Sequence, residues 1–162
     1  MKRLLTASLL LTLSLCGLTG CMAPAASTPA EADPEPVTRE EIKTDKAPAA
    51  IGPYSQAQRV GNRLYLSGQI GFDPATGQLV EGVEAQTRQV LANLHAVLQE
   101  AGFAKTDVVQ AQVFLADLED YATMNGIYAE FFGDHRPARA AFQVARLPRD
   151  AEVEIIFVAE KL

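Results

Sequence analysis

Residues 153–158, Val-Glu-Ile-Ile-Phe-Val, put apolar side chains on both faces of any strand they form: Val153, Ile155 and Phe157 on one side, Ile156 and Val158 beside Glu154 on the other. A strand of this kind needs cover on both faces, so the sheet that contains it cannot leave either side to water. The segments upstream limit what that cover is. Residues 63–70 alternate Leu64, Leu66, Gly68 and Ile70 against Tyr65, Ser67 and Gln69, and residues 54–60 pair with them through a tight turn at Gly61-Asn62. Asp73-Pro74-Ala75-Thr76-Gly77 is a turn cluster. Val83, Val90, Leu91, Leu94, Val97, Leu98 and Ala101 recur at helical spacing, and Gly102 is placed to end that helix. A third strand over 107–115 has Val109, Ala111, Val113 and Leu115 on one side. A second helix starts at the N-cap Asp120, carries Tyr121, Met124, Ile127, Tyr128 and Phe131, and stops at Pro137. Strands over 139–145 and 152–160 then flank the turn 146–150 as a hairpin.

The order β-β-α-β-α-β-β predicts an α+β domain over 49–162, a mixed sheet with both helices on one face. Two helices on one side leave the other face of strand 152–160 bare. The predicted cover there is another subunit, and the helix-free sheet face is the predicted interface.

The N-terminal part is of a different kind. Residues 1–20 begin with Lys2 and Arg3, continue with an apolar stretch broken by Ser and Thr, and read as a signal peptide. Leu18-Thr19-Gly20-Cys21 resembles the lipobox of bacterial lipoproteins, which predicts cleavage before Cys21 and acylation of it, a multi-chain anchor to a membrane. Met22, where an Asp would favour inner-membrane retention, points to the periplasmic face of an outer membrane in a Gram-negative host. Loss of two positive charges takes the chain from a net −6 to −8. Residues 22–48 hold five of the nine prolines and no Gly or aromatic residue, and are predicted to be an extended tether, with Cys21, spanning 21–48. At about 3.1 Å per residue it reaches roughly 80 Å.

Composition excludes several chemistries. Both cysteines, Cys16 and Cys21, precede the domain, so it has no thiol catalysis, disulfide or thiolate metal cage. His95 lies off the helical stripe on the solvent side and His135 in a loop. Neither has a second ligand at metal spacing, so no metal is expected. The 14 basic residues against 20 acidic ones form no basic cluster, which argues against nucleic acid as a partner. Gly68-Gln69-Ile70-Gly71 lacks the helix N-terminus of a phosphate loop, and Ser67 lacks a nucleophile elbow.

Two residues stand out chemically. Glu154 is a carboxylate inside an apolar strand, where burial favours a proton and suits a general acid or base; at an edge it would simply face water or pair with an Arg. Arg139 precedes the small Ala140 and Ala141, which leaves room for a carboxylate ligand beside its guanidinium; otherwise it is a surface charge opening a strand. The two share a site only if they share a sheet face, which the register of the hairpin decides.

Several segments resemble the Rid family, the reactive-intermediate deaminases, and its RidA-type members in particular: APAAIGPYSQA at 47–57, LYLSGQIGFDPATG at 64–77, EAQTRQVLANL at 84–94, VFLADLEDYATMNGIYAEFF at 113–132 and PARAAFQVARLPRDAEVEIIFVA at 137–159. The resemblance implies a chorismate-mutase-like fold assembled as a homotrimer with clefts between subunits. It implies hydrolysis of imines and enamines of 2-keto acids, such as 2-iminopropanoate and 2-iminobutanoate, to the keto acid and ammonia, without cofactor. Carried over by motif, Arg139 holds the substrate carboxylate and Glu154 positions or activates water, while Tyr54, Ser67, Gly68 and Asn125 line the same cleft. Ala141 stands where many members have Cys; a role for the backbone carbonyl at that position would survive the change. The rival reading is a membrane-tethered trimer that binds a small carboxylate and turns little over.

Overall fold

The computed structural model describes residues 37–162. The signal peptide 1–20, Cys21 and most of the predicted tether lie outside the described residues. The described part runs β1 (Arg39–Ile42), β2 (Ala57–Val60), β3 (Arg63–Leu66), β4 (Gln69–Ile70), β5 (Phe72–Asp73), β6 (Gln78–Leu79), α1 (Val83–Glu100), β7 (Val108–Leu115), α2 (Tyr121–Phe132), β8 (Ala138–Gln143) and β9 (Val153–Glu160). The main sheet has the order β1-β2-β3-β9-β7-β8, with β4 pairing β9 beyond the end of β3, and β5 and β6 make a small separate hairpin. All main-sheet pairings are antiparallel except β7 with β8, which the α2 crossover makes parallel. The fold is α+β, a mixed sheet with two helices.

β9 lies in the middle of this sheet, as its apolar composition demands. Its Val153, Ile155, Phe157 and Ala159 are fully buried against the helices. There Val90, Leu94 and Leu98 of α1 join Met124 and Phe132 of α2, and Phe132 packs on Phe157 with ring centroids 5.5 Å apart. On the other face Ile156 and Val158 are only half-buried, Tyr65 and Phe142 are exposed, and Phe114 stacks on Phe142 at 6.3 Å.

Several expectations are corrected. Strands β8 and β9 do not form a hairpin, because β7 lies between them. β9 takes the centre because both its faces are apolar, whereas β8, with Phe142 and Gln143 exposed, takes the edge. The tether does not extend to residue 48. β1 adds to the far edge of the sheet beside β2, and Ile42, Thr44 and Ala47 are buried. Burying Ile42 alone contributes about 2 kcal/mol. Gln56 holds this segment in place: its Oε1 accepts from Thr44 N at 2.7 Å, and its Nε2 donates to the carbonyls of Thr44, Ala47 and Pro48 at 3.0, 3.2 and 2.8 Å.

Smaller departures have local causes. A bulge between Val108 and Gln110 turns Val109 out, 45% exposed, while Ala111, Val113 and Leu115 stay buried. The strand predicted over 63–70 breaks at Ser67-Gly68 into β3 and β4. Asp120 makes no side-chain cap; Asp117 instead accepts from Glu119 N at 3.0 Å in the turn before α2. That helix ends at Phe132, where Gly133 adopts φ 63°, before Pro137 is reached. His95 is half-buried rather than on the solvent side, edge-on to Phe131 at 5.8 Å, and burial lowers its pKa.

Candidate active site

The break between β3 and β4 builds one half of the candidate site. Ser67 N donates to Gln56 O at 3.0 Å and Ser67 Oγ to Ser55 O at 2.6 Å, which fixes the chain as it turns past β9. Gly68 then lies directly against Glu154; a β-carbon there would overlap the carboxylate. Glu154 is half-buried and its carboxylate, among the described residues, makes no hydrogen bond or ion pair. Burial raises its pKa above the ordinary carboxylate value. It opens into a cleft of about 990 Å³ that Tyr54, Ser67, Gly68, Ile70, Phe72 and Arg149 also line. Tyr54 reaches it from the loop before β2 and is 49% exposed.

The second half is on β8 and α2. Arg139 Nη2 donates to Asn125 Oδ1 at 2.7 Å and to Tyr121 OH at 3.0 Å. Its guanidinium lies 4.5 Å from the centroid of the Tyr128 ring. Burial pushes the Tyr128 hydroxyl up to about 12, with Arg139 opposing the shift. No carboxylate of the described residues pairs with Arg139. A planar cation seated on a ring, oriented by two neutral oxygens, has donors left for a bidentate acid. Ala141 follows two residues later on the same side and packs against the core.

The sheet register separates these halves. Ala111 pairs with both Arg139 and Phe157, whereas Phe114 pairs with both Phe142 and Glu154. Paired residues share a face, so Arg139 and Ala141 lie on the helix side and Glu154 on the open side. Within one chain the structure brings Tyr54, Ser67, Gly68 and Glu154 together, and Arg139, Asn125 and Ala141 together elsewhere. Helical spacing alone assigns Tyr121 and Tyr128 to the apolar stripe of α2. Their spacing with Asn125, at 121, 125 and 128, places all three on one face of α2 and is the signal that would have joined them to Arg139. Arg149 gave no signal beyond its place in a turn.

Residues 44–161 match the family model described as Endoribonuclease L-PSP, a span that contains both helices, both half-sites and every strand of the sheet except β1. The chain belongs to this family, that of the Rid proteins. A RutC family protein of Pyrococcus horikoshii is 50% identical over 124 residues, 76% of this chain and 98% of that protein. The 2-iminobutanoate/2-iminopropanoate deaminase of Bos taurus is 51% identical over 124 residues, 76% of this chain and 90% of that protein. The crystal structure of RidA from the Antarctic bacterium Psychrobacter has a TM-score of 0.74 at 48% identity, covering 75% of this chain and 99% of that one. The edge strand β1 therefore lies outside the span shared through the Rid-family model. Among the described residues no three His, Cys, Asp or Glu side chains converge on a point that could hold a metal ion.

Proposed function

We propose that this Rid-family protein hydrolyses imines and enamines of 2-keto acids to the keto acid and ammonia. The observation that carries the reading is Glu154, a half-buried carboxylate without a protein partner, held against a glycine in an open cleft. The names of relatives at about half identity, 2-iminobutanoate/2-iminopropanoate deaminases, support it. The protein works as a homotrimer whose clefts form between subunits: one protomer contributes Glu154, Tyr54, Ser67 and Gly68, and its neighbour contributes Arg139, Asn125 and Ala141. The half-covered apolar face with Tyr65, Phe114, Phe142, Ile156 and Val158 supports this assembly.

In this arrangement Arg139 and Asn125 anchor the substrate carboxylate, and Glu154 orients a water at the imine carbon. The water oxygen bonds to that carbon as Glu154 takes one proton. That proton passes to the nitrogen to give a carbinolamine, and the carbinolamine hydroxyl proton then follows it through Glu154 as the C–N bond breaks and the C=O bond forms, leaving the 2-keto acid and ammonia with no change of oxidation state. The Rid-family model is described by an endoribonuclease name, but a net charge of −6 without a basic cluster favours a small acid over a polyanion. The proposed location is the cell envelope, with Cys21 lipidated and the domain on the periplasmic face of the outer membrane; the signal-like residues 1–20 and the lipobox support it.

The test is a trapping assay on the full chain in detergent micelles, with 2-iminopropanoate generated in situ. Suppression of semicarbazone formation is expected, and Glu154→Gln is expected to lower it at least 100-fold, within the range of general-base effects. A folded oligomer that suppresses no semicarbazone would replace the enzyme by a tethered carboxylate-binding module.

A further inference from the structure

Arg149 and Asp150, between β8 and β9, are the non-glycine residues with positive φ among those described, at 60° and 56°. A β-carbon crowds the carbonyl in this region, and two such residues in succession persist only where the surroundings impose them. The constraints are visible. Pro148 precedes them, Leu147 is buried beneath, Asp150 N donates to Leu147 O and Ala151 N to Pro148 O, each at 3.2 Å. Arg146 clamps Asp150 through Nε and Nη2 at 2.6 and 3.0 Å. A loop that only had to reverse direction would carry Gly, Asn or Asp here; Asp150 fits that pattern and Arg149 does not.

What the strained turn accomplishes is to set Arg149 in the lining of the Glu154 cleft. Arg146 and Asp150 neutralise each other, so Arg149 is the uncommitted charge of the loop; it makes no hydrogen bond or ion pair among the described residues. It is also the one cation among the residues lining the cleft. Glu154 does not use it, because burial alone sets the direction of its titration. The other acid at the cleft, Asp73, is engaged by its own turn, accepting from Ala75 N at 2.8 Å and Thr76 Oγ1 at 3.3 Å. In the inter-subunit cleft proposed above the neighbour's Arg139 holds the 2-carboxylate, which leaves Arg149 as the cation for the far end of the substrate.

We propose that Arg149 is a specificity-determining residue that pairs with a side-chain carboxylate, so that the preferred substrates are imines of 2-keto diacids; this rests on the imine-hydrolase reading above. In an acidic protein a doubly charged substrate needs such a local cation to enter.

The experiment compares 2-iminoglutarate and 2-iminosuccinate with 2-iminopropanoate on the full chain in detergent, using the same trapping readout, for the unaltered protein, Arg149→Ala, Arg149→Lys and Arg149→Gly. The diacids are expected to have the higher kcat/KM. Arg149→Ala and Arg149→Gly should reduce the diacid-to-monoacid ratio by about tenfold or more, the scale of a charge-assisted pair, and Arg149→Lys should retain most of it. Arg149→Gly should do so while raising Tm, a combination a purely structural role would not produce. An unchanged ratio in Arg149→Ala, a preference for the monoacid in the unaltered protein, or dissociation of the oligomer on light scattering would each overturn the proposal. If no imine is turned over, the imine-hydrolase reading fails, and calorimetric binding of 2-ketoglutarate against pyruvate decides the rest. A preference for the diacid that Arg149→Ala removes keeps the anion role; equal affinities end it.

Discussion

Burial raises the pKa of Glu154 above the ordinary carboxylate value, and among the described residues no cation pairs with it. As a base it works only when ionised, so the acid limb of the kcat/KM profile is expected to lie above that ordinary value and to be absent from the residual rate of Glu154→Gln. The stability consequence has the opposite slope. A carboxyl that binds its proton more tightly folded than unfolded favours the fold most at low pH, and that contribution is lost as pH rises through the folded value. Glu154→Gln should therefore have a higher Tm than the unaltered protein at neutral pH, with the difference closing in acid; thermal melts across pH 3 to 8 would check it. Both features follow from one residue placed in an apolar strand beside Gly68. The sequence shows the carboxylate; that nothing pairs with it depends on neighbours more than eighty positions away.

At the scale of elements, the strands and helices with clear periodicity form close to where their patterns put them. α1 ends as Gly102 demands, and β9 is central because neither of its faces tolerates water. The misplaced elements are those whose signal is charge or an irregularity. Arg39–Ile42 reads as tether because an edge strand is allowed charged residues, and nothing local announces that Gln56 will hold the following segment. Gln56→Ala would leave Thr44 N and three carbonyls without their partner. The expected loss is about 2–4 kcal/mol of stability, larger than for most single buried hydrogen bonds because several buried groups are stranded together. Urea denaturation would measure it, and a loss below about 0.5 kcal/mol would remove the clamp from the account. Val109 is a register effect of the same kind: a one-residue bulge reverses its face, and a strict alternation rule has no means of seeing that.

For the whole molecule the consequential fact is that Arg139 and Glu154 occupy opposite faces of one sheet. Neither residue can serve the other's half-site within a chain. If the clefts form between subunits, Arg139→Ala and Glu154→Gln are each inactive alone yet complement one another when mixed. In random mixed trimers about one cleft in four receives an intact Glu154 half from one protomer and an intact Arg139 half from its neighbour. Mixing the two inactive variants under subunit exchange should thus restore about a quarter of the activity. Restoration of none from confirmed hetero-oligomers would show that the two residues act in separate places.

By itself the sequence determined the α+β class, the need of strand 152–160 for cover on both faces, the two helices and the residue types at the candidate site, because each is written in short-range periodicity or in an unusual residue within a pattern. The tertiary structure decided what depends on which strands become neighbours. β7 enters between β8 and β9, and that single insertion separates Arg139 from Glu154. The positive φ of Arg149 and the capture of 39–48 by Gln56 arise in the same way. Strand order and loop conformation are chosen by the packing energy of the whole sheet, to which each local segment contributes only a small part.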